Sequence, residues 1–169
     1  QVTVTGTENL MMAAVLANGT TVLNNSAREP EVVDLGECLQ KMGADIQGLG
    51  TDRIVIKGVE KLKDAEHKIM FDRIEAGTYL VAGAITGGKI TCKNVDPLKM
   101  ESILQKLIEC GAKVTTKKDS ISVSSNQRLS AVDISTAPYP GFPTDLQAQF
   151  MALNSFSDGV GEVTERKKK

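Results

Sequence analysis

The spacing of apolar and polar residues predicts short strands alternating with helices from the start of the chain. Residues 2–5 alternate in polarity as a strand does, and residues 21–23 return to the same extended pattern. Between them, residues 9–17 are apolar on nearly every face of a helix. A helix without a polar face has to be enclosed by its neighbours, so we expect this one to be buried.

A second helix and two more strands complete the pattern. Residues 31–42 carry apolar side chains at helical spacing, and Gly43 follows where a left-handed C-cap belongs. Short strands are expected near Asp45–Gln47 and Arg53–Lys57. The order strand, helix, strand, helix, strand, strand is buried well when helices pack together beneath sheets. The sequence therefore predicts an α/β (α+β) fold with helices inside and sheets outside.

The same pattern occurs again further along the chain. Asn25 recurs as Asn94 and Gly43 as Gly111, which gives a period of about 68–69 residues. The second copy is expected to repeat the same order of elements. A third copy reaches its glycine at Gly159, so we expect the chain to end inside a repeat unit.

Four stretches of the chain resemble the UDP-N-acetylglucosamine 1-carboxyvinyltransferase family, the enolpyruvyl transferases that act on UDP-N-acetylglucosamine. They fall in the family's order, and they are residues 25–34 (NSAREPEVVD), 50–56 (GTDRIVI), 72–78 (DRIEAGT) and 136–149 (TAPYPGFPTDLQAQ). The shikimate-pathway enolpyruvyl transferases share the fold and the chemistry. The first and last of these stretches favour the sugar-nucleotide branch.

The resemblance implies an incomplete EPSP-synthase-like fold, whose two domains are each an inside-out α/β barrel of βαβαββ units. It identifies residues 1–70 as the last unit of one domain, and residues 71–169 as the first unit and the start of the second unit of the other. The family moves the enolpyruvyl group of phosphoenolpyruvate to the 3′-hydroxyl of UDP-N-acetylglucosamine, the first committed step of peptidoglycan synthesis. No metal and no organic cofactor are implied.

Asp145 is the candidate catalytic residue. Thr144 and Gln147 have the spacing of a capping box, which places Asp145 in the first turn of a helix. The helix dipole stabilises a carboxylate there, and such a carboxylate can accept a proton from a hydroxyl. From the residues alone, an acidic residue at a helix start is usually only a dipole partner. The resemblance implies that Asp145 binds the sugar 3′-hydroxyl and that Thr144 contacts the substrate.

Thr3, Val4 and Thr5 are candidate ligands of a diphosphate. They precede a helix expected to begin near Thr7, and strand-to-helix turns offer amides and hydroxyls to phosphate groups. Threonine-rich strand ends are nevertheless common. The resemblance implies that this turn contacts UDP and that Val163 contacts the nucleotide. Thr5 and Gln1 depart from the family, which commonly has glycine and lysine there, and this weakens the expected diphosphate site.

Two charged segments are candidates for the cleft between the domains. The first contains Arg28, Glu29 and Glu31, although glutamates also favour the start of a helix for electrostatic reasons. The second contains Asp72 and Arg73, which could simply be a solvated connection. The resemblance places both segments at the cleft.

The remaining chemistry-bearing residues favour structural roles. Cys38, Cys92 and Cys110 fall in predicted helices and a strand, where cysteine packs as a small hydrophobe, and none matches the family's reactive loop cysteine. Their odd number and wide spacing indicate a reducing cytoplasm. His67 is the only histidine, so a zinc site is not indicated, and its polar neighbours predict a surface position.

Net charge and composition bear on partners. The net charge is −1 and Trp is absent, which argues against nucleic acid and against an anionic membrane surface as partners. The basic tail 166–169 is interpreted as a frayed or vector-derived end.

The family's lysine–asparagine pair, loop cysteine and several anion-binding arginines lie in parts absent from this sequence, so we expect the chain alone to be inactive. The alternative is a noncatalytic repeat module that binds a protein partner through apolar faces left exposed by the absent units. The same exposed faces predict self-association.

Overall fold

The computed structural model describes residues 2–165. Gln1 and the basic tail 166–169 lie outside the described residues. The chain divides between Met70 and Phe71 into two compact units. Every helix within residues 2–165 is too short or too polar to cross a lipid bilayer.

The first unit contains two helices and one antiparallel sheet. The strand order is β1-β3-β2, with β3 pairing with both neighbours. In chain order the elements are α1 Val4–Ala14, β1 Thr20–Asn24, α2 Pro30–Lys41, β2 Asp45–Gln47 and β3 Arg53–Lys57. Both strands expected after the second helix therefore form where the sequence placed them.

The strand predicted at residues 2–5 is wrong, because α1 begins there. Thr3 is the N-cap of α1, and its hydroxyl accepts a hydrogen bond from the Gly6 amide at 3.3 Å. The Thr7 hydroxyl donates to the Thr3 carbonyl at 2.8 Å and accepts from the Ala27 amide at 3.0 Å. These bonds to Thr3 and Ala27 favour a helical turn over the extended conformation that the alternation indicated.

Burial of α1 is one-sided within the described structure, so the expectation of an enclosed helix is also wrong. Met11 and Val15 are buried against the sheet and α2, whereas Leu10 and Leu16 are 59% and 56% exposed. An apolar pattern on all faces indicates only that a helix can be buried, and this unit has enough neighbours to cover one side.

The second unit repeats this arrangement. Its sheet has the order β4-β6-β5, again antiparallel around the central strand. Its first elements are α3 Arg73–Ile85, β4 Lys89–Lys93, the 3-10 turn Pro97–Met100, α4 Glu101–Glu109, β5 Lys113–Lys117 and β6 Ser120–Ser124. As before α1, no strand precedes α3 in the described residues, which corrects the expected order of the second copy.

The backbone confirms the internal repeat. Asn25 and Asn94 both have φ of 58°, a left-handed conformation that asparagine tolerates better than most residues. Gly43 and Gly111 follow the second helix of each unit with φ of 101° and 93°. Helices and antiparallel sheets thus recur in one order, as the α/β (α+β) prediction stated.

The last elements of the second unit are β7 Ile134–Ser135, the 3-10 turn Thr144–Leu146, α5 Gln147–Ser155 and β8 Val163–Thr164. Strands β7 and β8 are parallel. Phe150 of α5 is fully buried and contacts Phe142 edge-to-face, with ring centroids 5.0 Å apart. Both rings belong to the same buried core as the inward-facing residues of α3 and α4.

The side chain of His67 is more buried than its polar neighbours in sequence predict, whereas the three cysteines are buried or partly buried as expected. The His67 side chain is only 8% exposed, which contradicts the surface prediction. Its Nε2 lies 3.1 Å from Asp34 Oδ1, and its Nδ1 lies 3.2 Å from Lys41 Nζ. Cys110 is fully buried, while Cys38 and Cys92 are partly buried. Burial raises the pKa of the Cys110 thiol, as expected of a packing residue.

Candidate functional site

In the first unit, the starts of α1 and α2 lie side by side. The bond from the Ala27 amide to the Thr7 hydroxyl joins them. Thr3, Val4 and Thr5 therefore form the N-cap and first turn of α1, rather than the end of a strand. The first amides of a helix lack partners within the helix, so this turn can offer N–H donors to an anion.

The start of α2 brings carboxylates to the same place. Glu29 is the N-cap of α2 and Glu31 lies in its first turn, while Arg28 is exposed just before them. Glu8 of α1 is the residue that sequence analysis missed. Burial raises the pKa of Glu8, and the nearby charges of Glu31 and Glu29 raise it further. Helical spacing alone could not show that Glu8 faces α2.

Replacing Glu8 by Gln is expected to stabilise the first unit near neutral pH. A raised folded-state pKa means that ionised Glu8 destabilises the fold, and this loss grows as pH rises through that pKa. The advantage of the variant should therefore be largest near about pH 7 and should disappear below about pH 4, where Glu8 is protonated in both states. Urea titrations followed by far-ultraviolet circular dichroism at both pH values measure the difference. A constant difference across this range would contradict the assignment.

In the second unit, the start of α3 contacts the loop that precedes α5. Asp72 caps α3 by accepting hydrogen bonds from the Ile74 and Glu75 amides at 2.8 and 2.9 Å. Arg73 is only 6% exposed, and its guanidinium lies 5.2 Å from the ring centroid of Tyr139. Arg73 is therefore buried within the fold, and Asp72, although exposed, is fixed as the cap of α3.

The loop between β7 and α5 is closed at its base. The Thr136 amide donates to the Thr164 carbonyl at 3.0 Å, and the Ala137 amide donates to the Phe142 carbonyl at 2.9 Å. Val163 pairs with Ile134 beside this base. The backbone thus places Val163 next to the segment that carries Tyr139, where the peptide bond to Pro140 is cis.

Asp145 lies in a short 3-10 turn, and the expected capping box does not form. Pro143 is the N-cap without a side-chain bond, because Thr144 already belongs to the turn. The Gln147 side chain instead donates to Met151 Sδ at 4.0 Å. Asp145 is still in the first turn, is exposed, and leads directly into α5. Its carboxylate is accessible to a hydroxyl-bearing ligand.

Close packing positions the turn that carries Asp145. A Cβ added to Gly77 of α3 would lie 2.7 Å from Leu146 Cδ1, so α3 and the turn approach closely because Gly77 has no side chain. One helical turn after Asp145, the Gln149 amide donates to the Thr78 hydroxyl at 2.9 Å. Gln149 and Tyr139 lie in the family-like stretch 136–149, but only the packing shows that they contact α3.

The predicted site residues thus divide between the two units. The group of the first unit comprises Thr3, Val4, Thr5, Arg28, Glu29 and Glu31. The group of the second unit comprises Asp72, Arg73, Thr144, Asp145 and Val163. Within residues 2–165, no three His, Cys, Asp or Glu side chains come together as metal ligands would.

An open groove of about 550 Å³ lies elsewhere in the second unit, between α4 and the β7–β8 pair. Ser102, Lys106, Asp133 and Glu162 contribute its polar lining. None of the predicted site residues lines this groove. Its two carboxylates and single lysine give no net attraction for an anionic substrate.

Comparison with known proteins identifies the family. The sequence profile described as EPSP synthase (3-phosphoshikimate 1-carboxyvinyltransferase) matches residues 1–168. The chain belongs to this enolpyruvyl transferase family. It is 57% identical over 163 residues to the UDP-N-acetylglucosamine 1-carboxyvinyltransferase of Halorhodospira halophila (strain DSM 244 / SL1), which covers 96% of this chain and 39% of that protein.

A solved structure of the family agrees with the fold. The crystal structure of the enolpyruvyl transferase NikO from Streptomyces tendae matches with a TM-score of 0.75 and 26% identity, over 94% of this chain and 39% of that chain. The expected EPSP-synthase-like fold is therefore confirmed. The chain spans 39% of the length of each of these two relatives.

Proposed function

We propose that this chain is a portion of the transferase that moves the enolpyruvyl group from phosphoenolpyruvate to the 3′-hydroxyl of UDP-N-acetylglucosamine. The observation that carries the proposal is the 57% identity, over 96% of the chain, to a protein named for UDP-N-acetylglucosamine carboxyvinyl transfer. Residues 1–70 supply the last repeat unit of one domain. Residues 71–169 supply the first unit and the start of the second unit of the other domain.

Asp145 is assigned to bind the sugar hydroxyl that reacts. Its exposed carboxylate, at the start of the turn leading into α5, can accept the proton of the sugar 3′-hydroxyl as that oxygen bonds to C2 of phosphoenolpyruvate and C3 takes up a proton. Loss of phosphate and of a C3 proton from the resulting tetrahedral intermediate then leaves the enolpyruvyl group on the sugar. Thr144 beside it contributes a hydroxyl to the same sugar. Val163 contacts the nucleotide from the strand next to the base of the Tyr139 loop.

The first turn of α1 is assigned to the diphosphate. Thr3, Val4 and Thr5 present amides and hydroxyls at the positive end of the helix dipole. Arg28, Glu29 and Glu31 beside this turn, and Asp72 and Arg73 at the start of α3, are assigned to the substrate cleft. Phosphoenolpyruvate has few ligands in this chain, so we expect the chain alone to bind the nucleotide sugar without turnover. The proposal places the reaction in the cytoplasm, in peptidoglycan synthesis, and requires no cofactor.

A shikimate-pathway transferase is the second candidate, because the matching family profile carries that enzyme's description. The two candidates differ in the acceptor that the Asp145 site binds. Titration with shikimate 3-phosphate therefore distinguishes them from the same preparation used for UDP-N-acetylglucosamine.

Isothermal titration calorimetry of the purified chain with UDP-N-acetylglucosamine tests the proposal. We expect saturable binding that Asp145→Ala weakens about tenfold or more, since a hydrogen bond to a charged group is lost. Asp119→Ala removes an exposed carboxylate from the turn between β5 and β6 and should leave the affinity unchanged. Absence of heat at millimolar ligand, or equal losses in the two variants, would refute the assigned site.

A further inference from the structure

The outer face of the sheet in the second unit is uniformly basic. Strands β4 and β5 each carry two lysines on the exposed side, and β6 between them carries serines. In register, Ser124 lies between Lys89 and Lys113, and Ser120 lies between Lys93 and Lys117. We name these four lysines, with Thr91, Ser122 and Thr115 at the centre, the lysine face.

The lysine face concentrates like charge at short range. Strands two apart in a sheet are separated by about 9.6 Å, and residues four apart on one strand by about 13 Å. Both separations exceed the screening length of about 8 Å at physiological salt. No carboxylate occupies any of the nine outward positions of the paired strands. The four charges therefore repel one another weakly, and an anionic partner would relieve that repulsion.

The fold itself does not require this charge. The sheet of the first unit has the same antiparallel register, and its corresponding positions include Asp45 among the corner residues and Val22 paired with Val55 at the centre. That face is thus mixed in charge and partly apolar. Two sheets of one repeat differ in this way only because of their side chains, so the lysine face is a property of the second unit.

The centre of the lysine face offers hydroxyl donors and no apolar contact. The Thr91 and Ser122 hydroxyl oxygens lie 2.8 Å apart, and Thr115 continues the row across β5. Hydroxyls and ammonium groups both donate hydrogen bonds to carboxylates. The nine outward positions contain no aromatic side chain on which a base could stack and no large apolar side chain that could enter a bilayer.

We propose that the lysine face binds an extended, acidic segment of a partner protein. Lys89 and Lys93 are four residues apart on β4, as are Lys113 and Lys117 on β5. Acidic side chains four residues apart in an extended segment have the same spacing of about 13 Å and so meet both lysines of a strand. The residues between them on the same side of the segment meet the hydroxyl row. This surface is independent of the proposed transferase site, since it includes none of that site's residues.

The test uses the full chain and a fluorescently labelled peptide of alternating Glu and Ser, followed by fluorescence anisotropy. Replacing all four lysines of the face by Gln is expected to weaken binding about tenfold or more. The matched control replaces four exposed basic residues of the first unit by Gln: Arg53, Lys57, Lys61 and Lys63. It removes the same net charge and should change the affinity less than about twofold, as residual long-range attraction is screened.

Further variants and conditions distinguish the loss of lysine contacts from a general loss of charge or of folding. Changing the four lysines to Arg keeps the charge and should retain binding, and raising the salt should weaken it. Tyrosine fluorescence reports whether the variants fold, because Tyr79 and Tyr139 are both in the second unit. If the fourfold variant loses that signal, Lys89→Gln/Lys113→Gln and Lys93→Gln/Lys117→Gln carry the test with a smaller expected loss.

Three results would overturn the proposal. One is an absence of peptide binding, and another is an equal loss of affinity in the control variant. The third is tighter, lysine-dependent binding to single-stranded DNA, or to vesicles of phosphatidylcholine and phosphatidylserine in equal parts. That outcome would assign the face to phosphate-bearing partners.

Discussion

Phe150→Ala is expected to lower the free energy of unfolding of the second unit by about 3–5 kcal/mol, the usual cost of truncating a buried Phe. Phe150 is fully buried, and its ring contacts Phe142 edge-to-face. Truncation would leave a cavity between α5 and the rest of the core and would remove the aromatic contact. Because α5 follows Asp145 directly, the loss should also loosen the turn that carries the proposed catalytic carboxylate.

Urea unfolding followed by tyrosine fluorescence measures this effect cleanly. All six aromatic residues lie in the second unit, so the signal comes from that unit alone. Phe156→Ala is the matched control, because Phe156 is 67% exposed and its removal should change stability by less than about 0.5 kcal/mol. Phe150→Leu should fall between the two. An unchanged midpoint for Phe150→Ala would show that α5 does not stabilise the unit.

The repeat made much of the fold predictable from the sequence. Strands Asp45–Gln47 and Arg53–Lys57 form where β-branched residues are flanked by polar ones, and α2 begins one residue before the predicted range 31–42 does. Left-handed positions are also readable, because few residues tolerate them: Asn25 and Gly43 recur with similar φ as Asn94 and Gly111. Backbone conformations that depend on residues close in sequence were thus predictable.

Features decided by tertiary contacts were not predictable. Residues 2–5 alternate like a strand, yet the Thr7 hydroxyl bonds to Thr3 and to Ala27, twenty residues away, and favours a helix. His67 lies among polar neighbours in sequence, yet its ring is held between Asp34 and Lys41 of α2. In both cases a side chain finds a distant partner, which periodicity cannot show.

The candidate site shows the same limit. The sequence predicts Asp145 at the start of a helix, and in the structure Asp145 lies in the short 3-10 turn that leads into α5. The capping box failed because Thr144 is inside the turn and Pro143 takes the cap position. Glu8 could not be found from its own surroundings, since its raised pKa arises from burial and from Glu31 and Glu29 on another helix. The individual residues are readable, but their mutual contacts require the fold.

Gly58→Ala is expected to destabilise the first unit by about 3 kcal/mol, at the upper end of overpacking effects. A Cβ on Gly58 would overlap the carbonyl oxygen of Ala17 and would lie 2.8 Å from its carbon. These are backbone atoms, so no side chain can rotate away. The turn that follows α1 would have to move, and this would strain the bonds from the Gly58 amide to the Gly19 carbonyl and from the Val59 amide to the Val15 carbonyl, both 2.9 Å.

The corresponding position of the second unit shows that this requirement is local. Ser125 follows β6 as Gly58 follows β3, and its amide donates to the Gly88 carbonyl as the Gly58 amide donates to Gly19. Ser125 accommodates a Cβ, so the junction tolerates a side chain in the second unit. Glycine at position 58 is therefore required by the approach of Ala17 rather than by the turn itself.

Amide hydrogen exchange of the β3 residues Ile54 and Ile56 reports the effect of Gly58→Ala, because both are fully buried in the first unit. Exchange there should accelerate by about two orders of magnitude, as a loss of about 3 kcal/mol in opening free energy requires. Gly88→Ala is the control, since a Cβ at Gly88 meets nothing closer than Thr86 Oγ1 at 3.4 Å. It should leave exchange in β3 unchanged. Equal protection in Gly58→Ala and the unsubstituted chain would mean that α1 can withdraw from β3 at little cost, and the close approach of Ala17 would then contribute nothing to stability.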